Sequence, residues 1–377
     1  MKSKGRKLDT RSVLVGLAAG VGAAAALRAL NKNPDQRFDQ MLVNRALDKK
    51  YHEAREEGPI QLNGQHRYVI FSDHHKGGRT RADDFIPCEQ TYLDALDHYA
   101  AQGYTLIILG DAEELQEEPI KTAVVSYQNV FQQEARFHPD RLIRVYGNHD
   151  ISWKSPEVVQ EFFQSIFPDI VYREGILFEY HRDQPDGGEI FLVHGFQGTL
   201  ESDIFSITAQ WVLPYFRNFQ HNTGIGYTTP SQDACLRSKH DNRLYRWVSK
   251  QRKLILIAGH THRPVWSSKS HLDKLTEELY ELFRMEPEGR PPDYQDQVER
   301  KQAEVERKRK EFPPCDDMVK TRPAYFNGGC CSFVDGDITG LEMENGVLRL
   351  IKWSGKQSPA VRTVLEENTL KHIFLYL

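Results

Sequence analysis

Five short apolar segments, each followed at once by residues that bind metal ions, constrain the fold of this chain more than any other feature of its sequence. The segments are RYVIFSD (67–73), YTLIILGD (104–111), RLIRVYGNHD (141–150), EIFLVHG (189–195) and KLILIAGHTH (253–262). Each holds four to six apolar positions, which is typical of a buried β-strand. Helical patterns such as residues 88–103 and 155–167 separate the early segments. This alternation predicts an α/β fold.

All five predicted strands end in side chains that suit a divalent cation. These side chains are Asp73, His75, Asp111, Asn148, His149, Asp150, His194, His260 and His262. Ligands bind at the C-terminal edge of an α/β sheet, so we expect these residues to meet at one sheet edge. Carboxylate, imidazole and amide oxygen favour divalent ions such as Mn²⁺, Fe²⁺, Co²⁺ or Zn²⁺, and the lack of cysteine among them argues against a structural zinc site.

The residue types also predict what such a site does. Two metal ions about 3.5–4 Å apart need a bridging ligand, and a single carboxylate can bridge them. Such a pair clamps phosphoryl oxygens, activates water as hydroxide and offsets the charge that develops toward the leaving group. Glycines at 110, 147, 195 and 259 would allow sharp turns and a close approach of the backbone. The sequence therefore predicts a hydrolase of phosphate esters or anhydrides.

A resemblance to a known family rests on five motifs. They are DHH (73–75), GDAEE (110–114), GNHD (147–150), VHG (193–195) and GHTH (259–262). This set resembles the five-motif signature of the calcineurin-like metallophosphoesterase superfamily, and the strands at 324–353 resemble the closing sheet of that family. The resemblance implies a four-layer α/β/β/α metallophosphoesterase sandwich with helical insertions and with a dimetal site at one edge.

The same resemblance implies a role for each site residue. The first metal would be held by Asp73, His75, Asp111 and His262. The second would be held by Asp111 as the bridge, with Asn148, His194 and His260. His149 would contact the substrate phosphate or protonate the leaving oxygen, and Asp150 would orient His149 through a carboxylate–imidazole hydrogen bond. The cofactors would be two divalent ions of manganese, iron, zinc or cobalt.

Other polar residues near the motifs have weaker interpretations. His74 should point away from the metals, because neighbouring residues of a strand face opposite sides. Glu113 and Glu114 should support the second motif without binding a metal. Four cations could contact substrate phosphates or could simply be solvated, and these are Lys76, Arg79, Arg81 and Arg263.

The N-terminus predicts a targeting segment and leaves an alternative open. Basic residues precede an uncharged run from Ser12 to Leu27. Its length lies between a signal-peptide core of about 7–15 residues and a membrane span of roughly 17–25 residues. We predict that residues 1–30 are a signal or anchor segment, which makes the protein membrane-anchored or exported and associates it with the membrane through its N-terminus. The alternative is an Ala-rich helix in a cytoplasmic protein.

The rest of the chain divides into a linker and one domain. Residues 31–60 are polar and helix-forming, which predicts a helical linker. Residues 61–365 form the predicted metallophosphoesterase domain, with a helical cap segment at 199–250 and a helical insertion at 267–313. Acids and bases alternate in the second half of that insertion, which is typical of a solvated helix.

The substrate is less constrained than the chemistry. The SDHH opening (72–75), the helical segment at 199–250 and Arg263 partially resemble the UDP-2,3-diacylglucosamine diphosphatases, which commonly carry Arg where this chain has His149. We expect a dimetal-dependent phosphohydrolase that uses metal-activated hydroxide on a monoester, diester or diphosphate of a phosphorylated small molecule or lipid-linked substrate.

Two alternative functions use the same motifs. A metal-dependent nuclease would need a basic groove, and the net charge of −4 gives no general basic field, so nucleic-acid binding is not predicted. A non-catalytic scaffold of the same fold would be expected to lack some ligands, whereas every motif position here is filled.

Overall fold

Two seven-stranded β-sheets form the centre of the structure, a computed structural model that describes residues 36–62, 66–80, 83–198, 234–311, 318 and 320–377. In chain order the strands are β1 (Ile60–Gln61), β2 (Arg67–Phe71), β3 (Thr105–Leu109), β4 (Leu142–Val145), β5 (Tyr172–Arg173), β6 (Gly175–Tyr180), β7 (Gly188–Val193), β8 (Leu254–Ala258), β9 (Val265–Trp266), β10 (Lys269–Ser270), β11 (Tyr325–Asn327), β12 (Ile338–Glu344), β13 (Val347–Ser354) and β14 (Val361–Thr369). The five predicted strands correspond to β2, β3, β4, β7 and β8.

These five strands divide between the two sheets. The first sheet has the order β14-β13-β12-β2-β3-β4-β5, in which β2, β3 and β4 run parallel. The second has the order β1-β6-β7-β8-β11-β9-β10, in which β7 and β8 run parallel. The expectation of a single sheet edge is therefore wrong, because the ligands follow strands of two sheets. A run of five apolar residues marks a strand as buried on both faces without identifying its partner.

The apolar runs are continuous because alternate residues of each strand are buried on opposite faces of the sheet. In β3, Leu106 and Ile108 point outward into an apolar cluster beneath helices, whereas Ile107 and Leu109 point into a cluster between the two sheets. All four side chains are buried. Since burying one such side chain stabilises a fold by about 1.5–3 kcal/mol, a strand with both faces covered is strongly specified.

Helices cover the outer faces of both sheets. In the described part of the chain the helices are α1 (Gln36–Glu56), α2 (Glu89–Ala101), α3 (Ile120–Ser126), α4 (Gln128–Glu134), α5 (Pro156–Phe163), α6 (Ala234–Val248), α7 (His271–Arg284), α8 (Tyr294–Glu311) and α9 (Leu370–Leu375). Tyr92 of α2 and Phe131 of α4 pack on the first sheet, whereas Val43 of α1 and Leu244 of α6 pack on the second. This layering confirms the predicted α/β/β/α sandwich.

A tight turn joins β12 to β13 in the first sheet. Strands β12 and β13 pair in antiparallel register from Ile338 opposite Trp353 to Glu344 opposite Val347. The turn between them uses Asn345 and Gly346, whose φ angles are 51° and 72°. Two positive φ angles are what a two-residue hairpin turn requires, so the Asn-Gly pair explains the reversal.

The predicted flanking segments fall on different parts of the fold. Residues 1–30 lie outside the described residues, and so do residues 199–233 of the cap segment, whose described part contains α6. Helix α1 lies within the predicted linker, yet its Val43 and Leu47 are buried against the second sheet. Helices α7 and α8 lie within the predicted insertion and pack against each other. The domain boundaries remain a prediction. Among the helices described, none has the length and apolar character needed to cross a membrane.

Candidate metal centre

The predicted ligands lie on loops that begin where β2, β3, β4, β7 and β8 end, and these loops approach one another closely. In the described ranges, three groups of His and acidic side chains hold potential ligand atoms within 4.8 Å of one another. The groups are Asp73 with His75 and His262, Asp111 with His194 and His260, and His75 with Glu114 and His149. The first two groups correspond to the two sets of ligands that the family resemblance implies.

The first group joins loops from both sheets. The Nε2 atom of His262 lies 3.2 Å from Oδ1 of Asp73 and 3.1 Å from Nε2 of His75. The carboxylate of Asp73 also accepts a hydrogen bond from the backbone N–H of His260, at 3.0 Å to Oδ1. A carboxylate from the first sheet is thus fixed directly to the ligand loop of the second.

Asp111 lies between the two groups. Its Oδ2 atom is 3.0 Å from Nε2 of His194 and 4.0 Å from Nε2 of His75. Its Oδ1 atom accepts a hydrogen bond from the backbone N–H of His149 at 2.8 Å. One oxygen therefore orients the carboxylate while the other faces histidines of both groups, which is the placement that a bridging ligand requires.

The unsatisfied atoms of the site fit a divalent cation. Oδ1 of Asn148 and Nε2 of His260 are buried without a hydrogen-bond partner. Buried polar atoms in proteins nearly always have a partner, and these two atoms offer lone pairs that a cation would satisfy. Donors of carboxylate, imidazole and amide types suit the ions predicted from the sequence. Metal binding is therefore consistent with the residues present, and the identity of the metal remains a prediction.

Hydrogen bonds behind the histidines select the nitrogen that faces the site. Nδ1 of His194 donates to the carbonyl oxygen of Leu109 at 2.8 Å, and Nδ1 of His75 donates to the carboxylate of Glu114 at 2.9 Å. Because the ring proton sits on Nδ1, Nε2 is left with a free lone pair. Such outer contacts orient metal-binding histidines and raise their basicity.

The partner of His149 differs from the prediction. Nδ1 of His149 lies 2.7 Å from Oε2 of Glu114, not against Asp150. The carboxylate of Asp150 instead accepts hydrogen bonds from the backbone N–H groups of Gly147 at 2.6 Å and Ala112 at 2.8 Å. Asp150 therefore closes the GNHD turn and ties it to the Asp111 loop. Asp side chains readily accept hydrogen bonds from backbone groups a few residues away. Because both oxygens of Asp150 are engaged in this way, they are not directed at the ring of the adjacent His149.

Glu114 is the functional residue whose role the sequence interpretation understated. Its carboxylate contacts both His75 and His149, so it connects a candidate metal ligand with the candidate acid. Burial alone would raise the pKa of Glu114, but the neighbouring His149 lowers it to about 2. Burial alone would lower the pKa of His149, but Glu114 and Asp111 raise it to about 10. The only sequence signal for this role is the position of Glu114 three residues after Asp111.

The cations near the motifs are mostly engaged with acidic side chains. Lys76 is fully buried beside Glu113 and Glu134, so it does not face a substrate. Arg79 pairs with Glu89 at 2.7 Å, and Arg263 pairs with Asp241. Arg81 lies outside the described residues.

His74 is turned away from the metal centre. It is buried, and its ring contacts the rings of Tyr92 at 4.6 Å and Phe85 at 5.7 Å between centroids. Burial in this apolar environment holds the pKa of His74 well below its ordinary value. Its predicted orientation is the one that the structure shows.

The backbone of the ligand loops is strained. Asp73, His75, Asp111, His260 and His262 all have positive φ angles, between 48° and 68°. Such left-handed conformations cost a residue other than glycine about 1–2 kcal/mol. Backbone hydrogen bonds hold the loops in place, for example from the N–H of His75 to the carbonyl of Asp111 at 3.0 Å.

Glycines let these loops lie close together. A Cβ atom at Gly147 would lie 2.1 Å from Oδ1 of Asp111, and one at Gly259 would lie 2.6 Å from Oδ2 of Asp73. Both distances are below 3.0 Å, a separation that real Cβ atoms essentially never show. A side chain at either position would displace a candidate ligand carboxylate.

Comparisons with known proteins agree with this site. A family model described as calcineurin-like phosphoesterase matches residues 66–281, which is more than half of the chain and includes all five motifs. No curated protein matches the sequence. The family and the candidate ligand groups together support a metal-dependent phosphoesterase.

Several solved structures are similar over most of their length. Vacuolar protein sorting 29 from Cryptosporidium parvum is 11% identical, with a TM-score of 0.35 over 81% of this chain and 100% of that chain. Vps29 from Entamoeba histolytica is 11% identical, with a TM-score of 0.28 over 80% of this chain and 99% of that chain. The cold-active protein tyrosine phosphatase of a psychrophilic Shewanella species is 12% identical, with a TM-score of 0.29 over 82% of each chain.

Proposed function

The chain belongs to the calcineurin-like phosphoesterase family, and from this premise we propose that it is a dimetal-dependent phosphohydrolase. The observation that supports the proposal most is the position of Asp111 between two groups of buried ligand atoms. Two divalent ions bound there would supply Lewis acidity to the phosphoryl oxygens and would acidify a water molecule. The protein would hold these ions through Asp73, His75, Asp111, Asn148, His194, His260 and His262.

His149 is the group that we assign to the substrate. Glu114 holds its Nδ1 proton, so the ring presents Nε2 toward the site. In the metal-free protein the neighbouring Glu114 and Asp111 raise the pKa of His149 to about 10, which favours the protonated imidazole. A protonated imidazole can donate to a phosphate oxygen or give its proton to the leaving oxygen.

The substrate in this proposal is a phosphate monoester, diester or diphosphate of a small molecule or of a lipid-linked metabolite. This class follows from the metal chemistry and from the partial resemblance of SDHH (72–75) and Arg263 to lipid-precursor diphosphatases. We also propose that residues 1–30 associate the protein with the membrane. A lipid-linked substrate would face the cytoplasm, so export of the domain would argue against that substrate.

A hydrolysis panel on the metal-replete protein tests the proposal. The panel holds an aryl phosphate monoester, an aryl phosphate diester and a lipid-linked diphosphate, each with and without a chelator. We expect hydrolysis of at least one substrate and its loss on chelation. In His149→Ala, kcat should fall about 10²–10⁴-fold, which is the usual contribution of a general acid, while the protein still binds two metal ions.

A matched control is His52→Ala, which removes an exposed histidine of α1. Its kcat should equal that of the wild type. Full activity of His149→Ala would refute the assigned role of that residue. A protein that binds two ions and hydrolyses nothing in the panel would refute the phosphohydrolase. Hydrolysis of an oligonucleotide in a parallel assay, with none of the panel substrates cleaved, would favour a nuclease.

A further inference from the structure

A buried carboxylate of α6 lies behind the loop that carries His260 and His262. Oδ1 of Asp241 accepts hydrogen bonds from the hydroxyl groups of Thr261 at 3.0 Å and Tyr325 at 2.8 Å. Oδ2 accepts from Nε of Arg263 at 3.1 Å and pairs with its Nη2. Asp241 is fully buried, and among the residues described both of its oxygens bond to this loop or to β11.

The residue next to it on α6 reaches a second ligand loop. Nε2 of His240 donates to the carbonyl oxygen of Gly195 at 2.6 Å, directly after the candidate ligand His194. The ring of His240 also contacts the ring of His260, with centroids 4.9 Å apart. Two adjacent side chains of one helix therefore contact both ligand loops of the second sheet.

Thr261 is the point at which this support acts on the metal centre. It lies between His260 and His262, which belong to different ligand groups and both have positive φ angles. Its hydroxyl donates to Asp241 and accepts from Nδ2 of Asn327 at 3.1 Å. Strained loops persist only when their surroundings fix them, and here side chains from outside the loop add to its backbone hydrogen bonds.

We propose that Asp241, assisted by His240, is a positioning residue that sets the affinity of both metal ions by fixing the loop from Gly259 to Arg263. The inference rests on the proposed function, because it takes His260 and His262 as ligands. It extends that function to α6, which lies in the segment predicted from the sequence to be a cap. This helix would thereby connect the cap segment with the metal centre.

The experiment measures metal binding to the full chain, without any substrate. Asp241→Asn replaces one of the two accepting oxygens by an NH₂ group, which cannot accept from Arg263 or from the hydroxyls. Calorimetric titration with Mn²⁺ should show affinity reduced about 10–100-fold at both sites, as is usual when an outer partner of a ligand is removed. The visible spectrum of the Co²⁺-loaded variant should also change, because the ligand geometry relaxes.

Two further variants separate positioning from folding. Thr261→Val replaces the hydroxyl by a methyl group and should reduce Mn²⁺ affinity. Thr261→Ser keeps the hydroxyl and should bind Mn²⁺ as the wild type does. The matched control is Asp39→Asn, which changes another carboxylate that pairs with an arginine, here Arg243 of α6, on the side facing α1. This control should bind Mn²⁺ as the wild type does.

The outcomes distinguish this inference from the proposed function. Wild-type affinity in Asp241→Asn or in Thr261→Val overturns the inference, and so does an equal loss in Asp39→Asn, which would show a general effect of displacing α6. If Asp241→Asn does not fold, the two Thr261 variants decide the question. A wild-type protein that binds two Mn²⁺ ions without hydrolysing any substrate refutes the phosphohydrolase and leaves the positioning role intact.

Discussion

In the described part of the chain, four fully buried charged side chains lie behind the ligand loops of the first sheet, whereas the buried carboxylate of Asp241 lies behind those of the second sheet. In the first network, Lys76 contacts Glu113 at 3.2 Å and Glu134 at 2.8 Å, and Arg144 contacts the same two carboxylates at 2.5 Å and 3.1 Å. The two cations and two anions balance in charge.

The two halves of the centre depend on the fold in different ways. The first network connects the loops after β2 and β3 with β4 and α4, all within the first sheet and its covering helices. Removing one member leaves an uncompensated buried charge, which threatens the whole fold. The second network depends on a carboxylate from one helix, α6. We therefore expect a substitution there to change metal affinity more than the stability of the fold. The following predictions test this contrast.

The largest effect is expected where the two halves meet. Asp111→Ala removes the carboxylate that faces histidines of both ligand groups. Loss of a single transition-state donor costs about 10²–10³-fold in kcat, so loss of this bridge should lower kcat/KM by ~10³-fold or more. Metal analysis should show fewer than two ions per chain. Near-normal hydrolysis with two bound ions would show that Asp111 does not join the halves.

The next effect concerns stability of the first half. Arg144→Met removes one of the two cations that face Glu113 and Glu134, and breaking a buried ion pair costs about 3–5 kcal/mol of unfolding free energy. Urea denaturation measures this loss. The matched control, Arg349→Met, removes a partly exposed arginine that pairs with Glu344 and Glu367 on the surface, and it should cost only about 0–1 kcal/mol. Equal losses of unfolding free energy in the two variants would show that the buried network stabilises the fold no more than a surface ion pair does.

A third prediction concerns the pH dependence of His149. Its pKa is raised above the ordinary value, so its ion pair with Glu114 stabilises the metal-free fold fully between about pH 4.3 and 6.5. The effect is lost as the pH rises through about 10, where His149 deprotonates, and as it falls through about 2, where Glu114 is protonated. Glu114→Gln removes the carboxylate, and the pKa of His149 should fall by about 1–3 units. Titration of the ring protons by NMR measures the shift. An unchanged pKa would show that Asp111 and Asp150 hold the charge on His149 without Glu114.

The smallest effect is expected away from both halves. Lys274 of α7 pairs with Glu366 of β14, and both side chains are partly exposed. Lys274→Ala should change the unfolding free energy by only about 0–1 kcal/mol and should leave Mn²⁺ affinity unchanged. A large change in metal affinity would mean that the 267–313 insertion supports the centre as α6 does, which would end the contrast between the two halves.

The sequence predicts the elements better than their partners. Five apolar runs correctly identify β2, β3, β4, β7 and β8, since a strand buried on both faces must be apolar throughout. The same runs do not reveal that β7 and β8 join a different sheet. That assignment depends on which strand lies alongside, and β6, which pairs with β7, carries no motif.

The site shows the same limit at the level of single residues. The family resemblance implied that Asp150 orients its neighbour His149, whereas the carboxylate that contacts His149 is that of Glu114 from another loop. The roles of His240 and Asp241 were likewise absent from the interpretation, because α6 carries no spacing that marks an outer contact. Ligand types can be recognised from motifs, but the groups behind them depend on which loops the fold brings together.

The left-handed backbone at Asp73, His75, Asp111, His260 and His262 has a consequence for how this protein changes under selection. Glycine adopts this conformation without steric cost, so glycine at any of these positions would relieve about 1–2 kcal/mol of strain while deleting a candidate ligand. If the proposed function holds, heat tolerance and catalysis compete for the same five positions. Selection for stability alone, without bound metal, would replace these five residues first and leave the surrounding sandwich intact.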